Sequence, residues 1–176
     1  MKIRNVQVEF VVDRLSKITA DAYVLPYFSR HVNPDHERWE VENAGARGVR
    51  RFIELRMNRH LQDNPLSLGD VIITHSGGGK SKFLINMICR SHNAETICWG
   101  IHGGLIGMFM EAPLFGLQTV AMAPLCVCDG LTEFAFAREL RKAIESYTGS
   151  ICITNIIVAC KTKEQAEELQ KALAQE

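Results

Sequence analysis

Residues 69–88, with the sequence GDVIITHSGGGKSKFLINMI, constrain the fold of this chain more than any other stretch. An apolar run at 71–74 is followed by three glycines and two lysines, and then by a second apolar run at 83–88. Two β-rich runs joined by a glycine-containing turn are typical of paired strands. We therefore expect a hairpin whose flexible, basic loop lies at the sheet edge where ligands of α/β proteins bind.

The glycines of this loop, GGGKS at 77–81, also invite comparison with a nucleotide phosphate loop. Glycines let backbone N–H groups close on phosphate oxygens. The Walker pattern, however, needs another glycine five positions before Gly79, where this chain has Thr74. It also leads into a helix rather than a strand. A hairpin turn is the better interpretation.

Strands and helices are predicted to alternate along the rest of the chain. The patterns predict strands at 6–12, 22–25 (ending at Pro26), 119–125 and 151–159. They also predict a long exposed loop at 29–43, a helix beginning at Val49, and helices spanning 94–115, 132–147 and 163–174. Four glycines in the predicted helix at 94–115 indicate close packing against a neighbouring element. The alternation favours an α/β fold in which helical layers cover a largely parallel sheet. With no repeat or linker, residues 1–176 are interpreted as one domain.

Charge and hydropathy argue against several classes of partner. Twenty basic residues balance twenty acidic ones, so net charge favours neither a nucleic-acid nor a membrane partner. No apolar run reaches the ~18 residues of a membrane span, and the N-terminus lacks the apolar region of a signal peptide. We expect a cytoplasmic protein.

The six cysteines fit a reducing compartment better than a disulfide framework. Most lie in apolar runs, where a thiol packs as a small hydrophobic group. Cys126 and Cys128 form a CxC without a second pair at zinc-site spacing. We therefore predict no metal site, and no cofactor.

The order and spacing of these elements resemble the macro domain, a module that binds ADP-ribose and related nucleotide derivatives. ADAYVLPY at 20–27 is similar to the family's VDAIVNAAN strand, and GARGV at 45–49 to its glycine-rich first loop. Residues 69–88 resemble the family hairpin GEAVITPGYNLPAKYVIHTV. VAMAPLCVCDGL at 120–131 falls where the family has a strand and its second phosphate loop. The resemblance implies a three-layer α/β/α fold with a mixed, largely parallel central sheet.

The resemblance also implies a nucleotide cleft with three parts. Asp13 lies near the place of the acidic residue that contacts the adenine amino group, although it could equally be a solvated residue that caps a turn. The first loop would hold one phosphate through Gly45, Arg47, Gly48 and Val49, unless its glycines serve only loop flexibility. The second loop would line the other side of the cleft through Cys126, Val127, Cys128, Asp129 and Gly130.

Departures from the family pattern point away from hydrolysis. The stretch that holds the family's NAAN asparagines reads Leu25, Pro26, Tyr27 and Phe28 here. Tyr27, Phe28 and Trp39 could stack on a base or ribose, or could fill the cleft. Asp129 would repel pyrophosphate unless its side chain turns away or a cation intervenes.

These residues lead to a ranked set of functions. The first is binding of ADP-ribose or a related nucleotide derivative without efficient hydrolase activity. The alternative is a degenerate macro-fold protein that binds no nucleotide and acts through protein contacts or homo-oligomerisation. An enzyme acting on another small substrate in the same cleft comes third.

Overall fold

The computed structural model describes residues 1–28, 67–76, 80–91, 93–127 and 130–175. They form seven strands: β1 (Lys2–Ile3), β2 (Val6–Val12), β3 (Ala22–Phe28), β4 (Val71–His75), β5 (Phe83–Arg90), β6 (Thr119–Met122) and β7 (Asn155–Cys160). They also form helices α1 (Ala94–Glu111), α2 (Glu133–Ser146) and α3 (Lys163–Ala174), and 3-10 turns at Leu15–Lys17 and Ala112–Phe115. The predicted loop at 29–43 and the predicted helix beginning at Val49 lie outside the described residues.

The seven strands form one mixed sheet in the order β1-β2-β7-β6-β3-β5-β4. The five inner strands run parallel, while β1 and β4 pair antiparallel with β2 and β5. The predicted hairpin is confirmed, with His75 opposite Phe83 and Val71 opposite Met87. The mixed, largely parallel sheet predicted from the chain is therefore confirmed.

Alternate residues of β3 enter two different hydrophobic clusters, because successive side chains of a strand point to opposite faces. Ala22 and Val24 belong to the cluster that includes residues of α1, α2 and α3. Tyr23 and Leu25 belong to a second cluster, which includes Leu15 of the first 3-10 turn. The sheet is thus buried on both faces, as parallel sheets require, and the α/β/α layering is confirmed.

Close packing of α1 explains its glycines. A Cβ atom at Gly100 would lie 2.8 Å from the Cα of Cys89, and one at Gly104 would lie 2.3 Å from the Cγ of Met87. A Cβ at Gly100 would therefore displace the backbone of β5, and one at Gly104 would displace the side chain of Met87. The predicted role of small residues in this helix is confirmed, although its α-helical part ends at Glu111.

The three α-helices of the described residues each begin with a side-chain cap. Thr132, just before α2, accepts a hydrogen bond from the Ala135 N–H at 3.1 Å. Asn93 and Thr162 cap α1 and α3 in the same way. Such caps satisfy backbone donors that a helix N-terminus leaves unpaired, which sharply defines where each helix starts.

Three predicted strand boundaries were wrong. β3 does not stop at Pro26 but continues to Phe28. Its pairing with β6 ends at Val24, so beyond that point one side of β3 has no described partner, and a residue without an N–H is tolerated there. β6 ends at Met122, and β7 begins only at Asn155.

The basic hairpin loop lies at the opposite edge from the one predicted. Ala22 pairs with Phe83, so β5 starts beside the start of β3. Lys80, just before β5, donates through Nζ to the carbonyl of Lys17, which ends the 3-10 turn before β3. We call the edge where the parallel strands begin the amino edge, and the edge where they end the carboxyl edge. Among the described helices, none is both long and apolar enough to cross a membrane.

Candidate functional site

The carboxyl edge of the sheet is the place where the parallel strands end side by side. Open parallel sheets bind ligands outside these carboxyl ends, where loops leave the strands. Val12 of β2 pairs with Cys160 of β7, and Met122 of β6 pairs with Val158. The residues that follow β2 and β6 therefore flank the end of β7. Asp13 and the loop beginning at Ala123 occupy these two positions.

Asp13 lies at the carboxyl edge and is exposed. Its Oδ1 accepts a hydrogen bond from the Arg14 N–H at 2.8 Å and lies 3.9 Å from the Lys17 Nζ. Both side chains of this ion pair are largely exposed, so the pair adds little stability. The hydrogen bond is to the adjacent N–H and does not cap the 3-10 turn that follows, whose N-cap residue is Arg14. Within the described part of the chain, its Oδ2 is not engaged in a hydrogen bond.

The described ends of the second loop form a tight turn. Cys126 and Gly130 both have left-handed backbones, with φ of 60° and 90°. The Cys126 carbonyl accepts from the Leu131 N–H at 3.3 Å, and the Val127 carbonyl accepts from the Gly130 N–H at 3.2 Å. Glycine adopts this conformation without a Cβ clash, whereas Cys126 carries some strain. The turn delivers the chain to Thr132, the N-cap of α2.

The Cys126 side chain faces the core. It is buried, and its Sγ lies 3.5 Å from the Sγ of Cys89 near the end of β5. Any contact between Cys126 and a ligand at the carboxyl edge must therefore come from its backbone. The prediction that cysteines in apolar runs pack as small hydrophobic groups is confirmed for both residues.

Tyr27 fills space in the core instead of offering a surface for stacking. Its side chain is 2% exposed and belongs to the second hydrophobic cluster. Directly after it the register of β3 against β5 shifts, so that Tyr27 pairs with Ile88 but Phe28 pairs with Arg90. This burial argues against the stacking role that the sequence left open for Tyr27. The side chain of Phe28 and all of Trp39 lie outside the described residues.

The end of β7 lies between Asp13 and the second loop, and sequence reasoning did not select it. Burial raises the pKa of the Cys160 thiol to about 11, which keeps it protonated at neutral pH. The backbone of Lys161 follows, and its N–H donates to Gln165 Oε1 at 2.9 Å. The signal that could have found these residues is their position just after a predicted strand. They form the central part of the carboxyl edge.

Several predicted site residues lie outside the described part of the chain. These are Gly45, Arg47, Gly48, Val49, Cys128 and Asp129. The structure thus brings together Asp13, Cys126, Val127 and Gly130 at one edge. The described ranges contain no group of three or more histidine, cysteine, aspartate or glutamate side chains arranged to hold a metal ion.

Comparison with known proteins gives a clear result for structures only. No family model matches the sequence, and no curated protein matches it. Among solved structures, the Oceanobacillus iheyensis macrodomain with ADP is similar, with a TM-score of 0.83 and 15% identity over 98% of this chain and 93% of that one. A mutant of the same macrodomain has a TM-score of 0.81 and 14% identity, covering 98% and 94%.

A macrodomain from a second organism agrees. The Trypanosoma brucei macrodomain in complex with ADP-ribose has a TM-score of 0.70 and 12% identity, over 95% of this chain and 69% of that one. At such low identity the likeness establishes architecture and not chemistry. The predicted resemblance is therefore confirmed at the level of structure: this chain is a divergent protein with the macrodomain fold.

Proposed function

We propose that this chain, acting as one domain, binds ADP-ribose or a related nucleotide derivative at the carboxyl edge without hydrolysing it efficiently. The observation that carries the proposal is the placement of Asp13 and the second loop at that edge. The ends of β2 and β6 are separated by two interstrand spacings, about 10 Å. An elongated nucleotide can span that distance. Two similar macrodomains were solved with ADP or ADP-ribose.

The groups at the ends of β2 and β6 can each bind a different part of a nucleotide. Asp13 has an exposed carboxylate, and a carboxylate accepts well from the exocyclic amine of adenine. The turn from Cys126 to Gly130 precedes the N-terminus of α2, and backbone N–H groups beside a helix N-terminus favour a phosphate. Gly45, Arg47, Gly48 and Val49 would hold the other phosphate, and Cys128 and Asp129 would complete the second loop.

The absence of efficient hydrolysis is proposed from the residues of β3. Leu25, Pro26 and Tyr27 stand where the resemblance places the family's asparagines, and none of them carries an amide side chain. Leu25 and Tyr27 are also buried, so neither can meet a ribose. We expect a mono-ADP-ribosylated protein to bind without releasing its ADP-ribose. Turnover by the wild-type chain would contradict this part of the proposal.

Calorimetric titration with ADP-ribose tests the proposal, with AMP and ADP as comparators. We expect micromolar binding of ADP-ribose. Asp13→Ala should weaken it about ten-fold or more, because a charge-assisted hydrogen bond is lost. Glu9→Ala is the matched control, since Glu9 is an exposed acidic residue of β2 away from the carboxyl edge. Equal affinity of wild type and Asp13→Ala would remove Asp13 from the site.

A second candidate function is favoured by exposed apolar side chains where α1 ends. Met110 and Leu114 are 61% and 76% exposed, and Phe115 is also exposed. Such a cluster suits a protein interface, including one between two copies of the chain. If this is the main function, light scattering will show a stable assembly, and nucleotides will leave the melting temperature unchanged. A monomer with micromolar ADP-ribose affinity would reject it.

A cytoplasmic location and a small-molecule nucleotide partner remain part of the proposal. No disulfide joins the cysteines in the described ranges, which suits a reducing compartment.

A further inference from the structure

A groove of about 770 Å³ lies between α1 and α2, and it adjoins the second loop of the proposed nucleotide cleft at Gly130. Small-molecule sites typically enclose about 300–1,000 Å³, so the groove has the size of a ligand site. One wall carries Cys98, Trp99 and His102 of α1, and the other carries Ala135 and Glu139 of α2. These residues follow the i, i+3 and i+4 spacing that places side chains on one face of a helix.

The α2 wall of the groove holds a largely buried carboxylate with one oxygen in use. Glu139 is 5% exposed, and its Oε1 lies 3.1 Å from Arg138 Nη2 and 3.5 Å from Lys142 Nζ. Its Oε2 lies 3.6 Å from His102 Nδ1, which is too long for a hydrogen bond. That Nδ1 is itself buried without a hydrogen-bond partner in the described part of the chain. Oε2 is therefore an acceptor available to a ligand.

Trp99 supplies a flat surface that lines the same groove as this carboxylate. Its side chain is 78% exposed although it lines the groove, and it lies three residues before His102 on the same face of α1. An exposed indole next to an apolar cavity leaves a large apolar area in contact with water. Stacking with a planar ring would bury that area, and aromatic ligands stack on tryptophan at little conformational cost.

The charges around the groove favour a neutral donor over a cation. Arg138 and Lys142 already pair with Glu139, and both also line the groove with Glu95. A cationic ligand that approached Oε2 would meet the two basic side chains at close range. A neutral N–H group would not, and the basic side chains could donate to a neighbouring carbonyl oxygen of the same ligand.

We propose that the α1–α2 groove binds a neutral, planar heteroaromatic ring that carries N–H donors beside a carbonyl oxygen, as a guanine base does. The ring stacks on Trp99. Its N–H groups donate to Glu139 Oε2, while Arg138 or Lys142 donates to its carbonyl oxygen. Gly130 borders both this site and the carboxyl-edge cleft, but the contacts through Trp99 and Glu139 do not require the proposed ADP-ribose binding.

The test is calorimetric titration of the full chain with guanosine, in the wild type and in Asp13→Ala. For a ligand of this size we expect a dissociation constant on the order of 10–100 µM, unchanged by Asp13→Ala because Asp13 does not line the groove. Inosine, which lacks the amino group of guanosine, should bind about ten-fold more weakly. No heat with guanosine up to millimolar concentration would overturn the proposal, as would loss of guanosine binding in Asp13→Ala.

Substitutions locate the binding. Trp99→Ala should weaken guanosine about ten-fold or more, and the exposure of Trp99 means that the fold should be unaffected. Phe134→Ala is the matched control, because Phe134 is a half-exposed aromatic residue of α2 that does not line the groove. Glu139→Gln should also weaken binding, with folding checked by thermal unfolding. Wild-type affinity in Trp99→Ala would overturn the proposal.

Discussion

Two aspartates at opposite edges of the sheet do different work. Asp21, at the amino edge, accepts through Oδ2 from the N–H groups of Gln118 and Thr119 at 2.9 and 2.8 Å. Its carbonyl accepts from Lys82 and Phe83, both at 3.1 Å. It therefore ties the starts of β6 and β5 to β3. The side chain of Asp13, at the carboxyl edge, accepts one hydrogen bond among the described residues, from the Arg14 N–H, and forms an exposed ion pair with Lys17.

The difference shows how a side chain becomes available for function. Asp21 uses its Oδ2 and its carbonyl oxygen to align strands, while its Oδ1 makes no hydrogen bond among the described residues. The Asp13 carboxylate also keeps one oxygen without a hydrogen bond in the described structure, and it is exposed. Residue type is the same in both cases, and what separates the structural aspartate from the candidate ligand contact is its bonding to distant strands and its lower exposure.

The largest expected effect comes from breaking the amino edge. Asp21→Ala removes the acceptor of two backbone N–H groups and should lower the free energy of unfolding by roughly 2–4 kcal/mol. Asp13→Ala should lower it by less than about 1 kcal/mol, since its contacts are exposed. Urea denaturation of both variants measures the two values. Equal losses of unfolding free energy would show that Asp21 contributes no more to stability than Asp13 does.

A smaller effect is expected from a pair of glycines with left-handed backbones. Gly130 lies in the second loop and Gly116 follows the second 3-10 turn, and a Cβ at either position would meet no atom within 4 Å. Alanine at each should therefore cost about 1–2 kcal/mol of stability through backbone strain alone.

Only Gly130→Ala should also weaken ADP-ribose, by roughly five-fold or more, because the strained turn is displaced at the carboxyl edge. Gly116→Ala is the control, with the same kind of strain at a distance from that edge. Titration calorimetry and urea denaturation on both variants separate the two effects. Equal ADP-ribose affinity in the two variants would remove the turn from the site.

The smallest effect concerns pH. Burial raises the pKa of the Cys160 thiol from 9.0 to about 11, so this group binds its proton more tightly in the folded state. Its contribution to stability is complete below pH 9 and is lost as the pH rises toward 11. Unfolding free energies measured between pH 8 and 11 should fall less steeply in Cys160→Ala than in the wild type. Parallel curves would show that Cys160 does not titrate as its burial requires.

The sequence predicted most elements because local signals agreed with the tertiary structure. Thr132 as an N-cap, the hairpin at 71–88 and the glycines of α1 each carry a signal in their own residues. Pro26 misled the prediction of the end of β3. A proline is excluded from a strand only where a neighbouring strand needs its N–H. The neighbouring strand β6 no longer pairs with β3 at that position, and β6 is distant in sequence.

The candidate site was less predictable. The resemblance directed attention to Asp13 and to 126–130, but it gave no sign that the Cys126 thiol faces Cys89 or that Tyr27 is buried. The basic loop was assigned to the wrong edge, because a hairpin sequence does not state which end of a parallel sheet its turn occupies. The α1–α2 groove carries no sequence motif, since its walls come from helices separated by more than twenty residues.

By itself, the sequence determined the α/β class, the caps and the periodicity, because these depend on the chemistry of residues close together in the chain. Only the tertiary structure decided at which edge Asp13 and the second loop lie. It also decided which aspartate aligns strands and which carboxylate lines a groove. These properties depend on pairing between distant strands and on burial. Neither is encoded in any single segment.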